Sequence, residues 1–193
     1  MNRYFAVYKP FGMLSQFSPE GDRQTLAALG DFDKDVYPVG RLDADSEGLL
    51  ILTNDKRLNA ALLDPTERHF RSYYVQVEGE VDHNAIEKLE RGVEIKIKGK
   101  SHFTAPAEAL RMVDPILPLR EPPIRFRKNI PTSWLELRIT EGKNRQVRRM
   151  TAAVGFPTLR LVRWAIEDLT LASFEAGEVK EFPKNEMVKL LKL

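Results

Sequence analysis

The sequence predicts an α+β fold built around a mixed, mainly antiparallel sheet flanked by helices. Several segments alternate apolar and polar residues at the period of a strand, others place apolar residues at helical spacing, and the elements succeed one another as hairpin-like neighbours rather than strict strand–helix–strand units. With 193 residues and 42% hydrophobic content, the chain can bury a proper core, either as one large domain or as two small lobes.

Taken in order, residues 5–8 read as a short strand, ended where Lys9-Pro10-Phe11-Gly12 forces a turn. Residues 13–35 are polar and irregular apart from a helical turn at 25–29, and 36–39 suit another strand. The glycine-led apolar run 48–53 suits a buried strand, after which Asn54 is placed to cap a helix over 55–63, closed by Asp64-Pro65. Residues 73–81 alternate as a strand. Residues 83–91 carry Ile86 and Leu89 at helical spacing and stop at Gly92. Alternation returns at 93–97 and, more weakly, at 107–113. Residues 114–131 hold five prolines among charges and read as a long basic loop. A strand at 134–140, a turn at Glu141-Gly142-Lys143, a helix at 144–154 and a strand at 158–166 follow.

Composition removes several classes of function. The chain has no cysteine, which excludes disulfides and thiolate metal sites, and His69, His83 and His102 lack metal-ligand spacing. The N-terminal segment lacks the apolar core of a signal peptide, and no window is apolar enough to span a bilayer, so a cytoplasmic protein with no membrane association is expected. Charge is unevenly spread. From Arg120 to Arg163 there are 11 basic and 3 acidic residues, a local 11 − 3 = +8 against a whole-chain +2, which leaves −6 elsewhere. Nine of those eleven cations are arginines, the footprint of a polyanion-binding surface.

Three local patterns could carry chemistry. Asp43 sits in a loop bracketed by Gly40 and Gly48, two residues after Arg41 and ahead of an apolar strand, where a guanidinium could hold a rigid carboxylate ionised for attack. On these features alone a charged turn is the simpler reading. Asp43, Asp45, Glu47 and Gly48 also imitate the start of an EF-hand loop, although the closing glutamate would fall on Asn54. In the helix near 144, Arg145, Arg148 and Arg149 share the first turns at i, i+3 and i+4, where cations oppose the helix dipole and an anionic partner would explain them. Of Tyr73 and Tyr74, adjacent on a strand, one should face a core and the other could line a cleft.

Four motifs in order, Tyr-Lys-Pro-Phe-Gly-Met-Leu at 8–14, Gly-Arg-Leu-Asp-Ala-Asp-Ser-Glu-Gly-Leu-Leu at 40–50, Arg-Ser-Tyr-Tyr-Val at 71–75 and Glu-Gly-Lys-Asn-Arg-Gln-Val-Arg-Arg-Met at 141–150, resemble the pseudouridine synthases of the RsuA branch over nearly the whole chain. The stretches at 122–128 and 131–135 are similar to a member that acts on large-subunit ribosomal RNA. The resemblance implies the pseudouridine synthase fold, with an active-site cleft between lobes of about 1–64 and 65–193. It implies isomerisation of a uridine in ribosomal RNA, expected to be 23S rRNA or its large-subunit precursor, by a monomer needing no cofactor and no metal. Asp43 then corresponds to the nucleophile, Tyr73 to the tyrosine that stacks on the base, Arg148 to the basic partner of the aspartate, and Arg41 to the arginine that fills the space of the flipped nucleotide. Lys9, Arg125, Arg127, Lys128, Arg145 and Arg149 are further candidate RNA contacts. Several relatives begin with an S4-type RNA-binding module, for which the motif at 8–14 leaves no room, so the catalytic domain itself is expected to grip the RNA. The alternative is a non-catalytic rRNA-binding or ribosome-assembly factor that keeps the basic surface.

Overall fold

In the computed structural model, residues 1–125 and 127–193 are described. The elements are β1 (Tyr4–Lys9), a 3-10 turn (Leu26–Leu29), β2 (Tyr37–Pro38), β3 (Glu47–Thr53), α1 (Lys56–Leu63), β4 (Arg71–Glu78), α2 (His83–Arg91), β5 (Glu94–Ile97), β6 (Lys100–Phe103), β7 (Glu108–Met112), β8 (Thr132–Ile139), α3 (Gln146–Ala153), β9 (Thr158–Ile166), β10 (Leu169–Thr170), β11 (Val179–Glu181) and α4 (Lys184–Leu191). They confirm the mixed α+β class with a mainly antiparallel sheet. The chain forms two units: Met1–His69 with Arg163–Leu193, and Phe70–Val162. Among the described residues, no helix is long and apolar enough to cross a membrane.

In the first unit the strand order is β11-β1-β3-β9, β9 entering this unit with its residues from Arg163 onward, and β2 lies on β3 and β10 on β9. β1 lies antiparallel to β3 in the register Tyr8↔Leu49, Lys9↔Gly48, and every residue of both strands is buried. Strands covered on both faces lose the polar alternation of a half-exposed strand, which is why 49–52 is apolar throughout. Phe5, Val7, Leu50 and Leu52 form one face of the core with Met13, Leu26 and Val36, so the segment following β1 is anchored by its own methionine. The cap of α1 differs from the expectation. Asp55, not Asn54, accepts from the Arg57 and Leu58 amides at 2.9 and 3.3 Å, while the Asn54 side chain accepts from the Arg3 amide at 2.8 Å. Asp55 also accepts from the buried Tyr4 hydroxyl at 2.7 Å, a bond Asn54 is in no position to make.

In the second unit β4 pairs antiparallel with β8 in the register Tyr73↔Leu137, Tyr74↔Glu136, and β7 adds to the far side of β8. Alternate residues Tyr73, Val75 and Val77 enter a core with Ala85 and Leu89 of α2 and Val147 and Met150 of α3. β5 and β6 form a separate hairpin turned by Lys98 (φ 48) and Gly99 (φ 81). The sequence pattern shows neither β6, with its single apolar residue Phe103, nor β10, β11 and α4. The 114–131 segment contains no helix or strand among the described residues, as its prolines predict, and Phe126 lies outside the described set.

Candidate active site and nucleic-acid interface

The Asp43 loop, in the first unit, is fixed by backbone bonds on both sides of the carboxylate. Leu42 exchanges two bonds with the Ser15 hydroxyl, its amide donating at 3.0 Å and its carbonyl accepting at 2.8 Å. The Ala44 carbonyl accepts from the Gly12 amide at 2.7 Å, and the Asp43 carbonyl accepts from the Ser46 amide at 3.0 Å. The segment that supplies Gly12 and Ser15 is itself folded around Lys9, whose ammonium donates to the carbonyls of Pro10 (2.9 Å) and Met13 (2.7 Å). Lys9 has 0% solvent exposure. The expectation that it contacts RNA is therefore corrected: its charge points inward and shapes the turn that braces the Asp43 loop.

The electrostatics of this corner follow from burial. Removal from water pushes the Lys9 ammonium down to about 8; Glu47, Asp45 and Asp43 oppose that fall, and the neighbouring Arg163 guanidinium adds to it. Arg163 is buried and its Nε donates to the Leu49 carbonyl at 2.7 Å. Three carboxylates and two cations thus share one region of the unit, and neither Lys9 nor Arg163 was legible there from local sequence. The EF-hand alternative fails because the residues that would form the rest of its loop, Glu47–Thr53, are a buried strand. Arg41 is exposed and makes no hydrogen bond or ion pair among the described residues.

The buried lysine gives a pH signature. Between about 8 and the 10.5 of a free lysine, the unfolded chain holds a proton that the folded chain has released, so this group adds stability as pH rises through that window. Wild type is therefore expected to gain stability relative to Lys9→Met between pH 7.5 and 10 in denaturant titrations. A difference that stays flat across the window would contradict this account of Lys9.

In the second unit, Tyr73 is 8% exposed and lies in the same core cluster as Val147 and Met150, the inward residues of the helix that carries Arg148. Tyr74, on the opposite strand face, has its phenol raised above the ordinary range by burial and then by Glu136 beside it. The entry to α3 is tied down by Glu141, which accepts from the Ala105 amide (3.0 Å) and the Gln146 side chain (2.7 Å) and meets His102 at 3.2 Å. Arg145 is the residue before α3 rather than part of its first turn, and adopts a left-handed backbone (φ 50). Arg148 is partly buried. Arg149 has a folding role that the charge pattern concealed: its guanidinium donates to the carbonyls of Lys96 (2.6 Å) and Asn144 (3.1 Å).

Backbone engagement also thins the basic field. Arg120 binds the carbonyls of Pro122, Pro123 and Leu159, and Arg160 binds that of Pro118, so these two arginines hold the proline-rich loop to the strand that follows α3. Arg127 is paired with Glu78 at 2.9 Å, and Arg138 with Glu108 while lying 4.7 Å from the centre of the Phe70 ring. Arg125, Lys128 and Lys143 are exposed, and their side chains make no hydrogen bond or ion pair among the described residues.

Residues 3–153 match the family model described as RNA pseudouridylate synthase. The chain is 49% identical over 181 residues to the ribosomal large subunit pseudouridine synthase E of Vibrio parahaemolyticus, covering 93% of this chain and 74% of that one. It is 52% identical over 167 residues to the protein of the same name from Xanthomonas axonopodis pv. citri, covering 84% and 85%. A solved structure described as a pseudouridylate synthase superposes with a TM-score of 0.79 at 27% identity, covering 98% of this chain and 74% of that one.

Proposed function

The chain belongs to the RNA pseudouridylate synthase family, and from that premise we propose that it isomerises a uridine of large-subunit ribosomal RNA to pseudouridine, with Asp43 as the nucleophile. The relatives named for this activity share about half their residues with the chain over most of its length, which supports large-subunit RNA as the substrate and the cytoplasm as the workplace. The observation that carries the assignment of Asp43 is its loop: a carboxylate at the mouth of a fully buried strand, with the backbone on either side held by bonds from another segment. A nucleophile needs such fixity, because a small misplacement costs orders of magnitude in rate.

The reaction is an isomerisation with no net redox change. The bond from ribose C1′ to N1 of uracil breaks, the base turns over, C1′ bonds to C5, the C5 proton departs and N1 regains one. Reaching the base requires turning it out of the RNA at a cost of a few kcal/mol, which stacking on an aromatic ring and filling of the vacated space offset. In this reading Tyr73 supplies the ring, Arg41 the filling guanidinium, and Arg148 the positive charge that balances the carboxylate.

The reading is tested by incubating the protein with unmodified large-subunit ribosomal RNA, both free and in isolated particles, followed by carbodiimide treatment and primer extension. A new stop that needs the protein is expected. Absence of any new stop on either substrate would remove the synthase claim for that RNA and leave the non-catalytic binder. For RNA grip, the triple replacement of Arg125, Arg127 and Lys128 by alanine is expected to weaken binding and reduce the slope of log affinity against log salt by about two. An unchanged slope would exclude the proline-rich loop as a contact surface.

A further inference from the structure

We propose that Ser15 is the positioning residue for Asp43, acting through the peptide groups of Leu42. Leu42 is buried and lies outside any strand, so its amide and carbonyl have no ladder to join and would be costly to leave unpaired. A hydroxyl is a group that donates and accepts at one atom. The Ser15 hydroxyl does both, receiving the Leu42 amide at 3.0 Å and giving its proton to the Leu42 carbonyl at 2.8 Å. Ser15 therefore stands in for an adjacent strand at the residue immediately before the nucleophile.

The brace is firm because its own backbone is held. On one side of Ser15 the Leu14 amide donates to the Gln24 carbonyl at 2.9 Å, and on the other the Gln16 carbonyl accepts from the Leu26 amide at 2.9 Å. Leu26 and Met13 are core residues, so the position of Ser15 is set by packing as well as by hydrogen bonds. With Gly12 holding Ala44, the path of the chain through Asp43 is defined at both neighbours. Loss of the hydroxyl leaves the carboxylate present and ionisable on a loop free to shift, which lowers the rate of the chemical step while leaving the RNA-binding surface intact.

The same bonding device occurs at a place to which no catalytic residue is assigned. The Ser133 hydroxyl receives the Val81 amide at 2.9 Å and donates to the Gly79 carbonyl at 2.8 Å in the second unit. Ser133→Ala thus removes an equivalent pair of bonds and serves as the control for general loss of stability.

The inference rests on Asp43 being the nucleophile, and the experiment separates the two claims. Single-turnover rates at saturating large-subunit RNA transcript, and RNA dissociation constants, are measured well below the melting temperature for wild type, Ser15→Ala, Ser15→Cys, Ser133→Ala and Asp43→Asn. Ser15→Ala is expected to lose about 10- to 100-fold in rate with affinity unchanged within about twofold. Ser15→Cys, similar in shape but a weaker donor and acceptor, keeps the fold if alanine does not, and should fall in between. Ser133→Ala should stay within about threefold of wild type. Faster hydrogen exchange of the Leu42 amide in the Ser15 variants would report the released brace directly. Wild-type rates in Ser15→Cys, or equal rate losses in the Ser15 and Ser133 alanine variants, overturn the positioning role. A fully active Asp43→Asn overturns the nucleophile reading instead.

Discussion

Replacing Asp43 with asparagine is expected to abolish formation of pseudouridine, with a fall in single-turnover rate of at least about a thousandfold, in the range seen when a nucleophile is removed from an enzyme. Asparagine has nearly the shape of aspartate but lacks the anionic oxygen that attacks. Bonds through the backbone of residues 42–46 and the Ser15 hydroxyl hold the loop, and the substitution leaves these in place. Melting temperature should therefore move by only a few degrees. RNA affinity should hold or tighten, because a negative charge facing a polyanion has been removed. Asp45→Asn is the companion measurement: Asp45 shares the loop but is not the residue that attacks in this reading, so the variant should keep most of its activity. Retention of more than about a tenth of the wild-type rate by Asp43→Asn, or a deeper loss in Asp45→Asn, would move the nucleophile elsewhere.

Fold and site were legible to different depths for a physical reason. α2 and β9 fall on their expected bounds because each carries its own signal: apolar residues at helical spacing closed by Gly92 in one, a long β-branched and aromatic alternation in the other. β6 left no such mark, as Lys100-Ser-His-Phe is strand only by pairing with β5. The Asp43 loop was visible as a carboxylate between glycines, but its bracing comes from Ser15, 27 residues away, and the turn that presents Ser15 depends on a lysine that composition rules place at the surface. The basic region shows the opposite error. Its arginines counted toward a polyanion-binding field, yet Arg120, Arg149, Arg160 and Arg163 bind backbone carbonyls that lie up to 114 residues away in the chain. Net charge is additive along a sequence, whereas the identity of each partner is a property of the fold.

Gly48→Ala should show the largest loss of stability, and with it a collapse of the site. Gly48 closes the glycine-bracketed loop that carries Asp43, at the point where Lys9 pairs across from it, and its φ of +112 is one that side-chain-bearing residues rarely adopt. A Cβ there would lie 2.4 Å from the Arg163 carbonyl oxygen, 2.6 Å from its nitrogen and 2.9 Å from its carbonyl carbon. These are backbone atoms of β9, so no side chain can swing aside; β3 and β9 must separate. Backbone strain and steric overlap together make a loss of about 3 kcal/mol or more reasonable, which for a chain of this size corresponds to a melting temperature lower by roughly 10 °C. Gly12→Ala is the informative comparison, because Gly12 also has a positive φ (+83) but nothing lies within 4 Å of its added Cβ. It should cost only the backbone strain, about 1 kcal/mol. Calorimetry of the two variants separates the causes: equal losses would mean that left-handed backbone alone sets the requirement, whereas a much larger loss at Gly48 assigns it to the contact with Arg163. Because Arg163 also binds Leu49 and acts on Lys9, strand separation at Gly48 would reach the segment that braces Asp43. Activity should accordingly fall further in Gly48→Ala than its folded fraction alone accounts for.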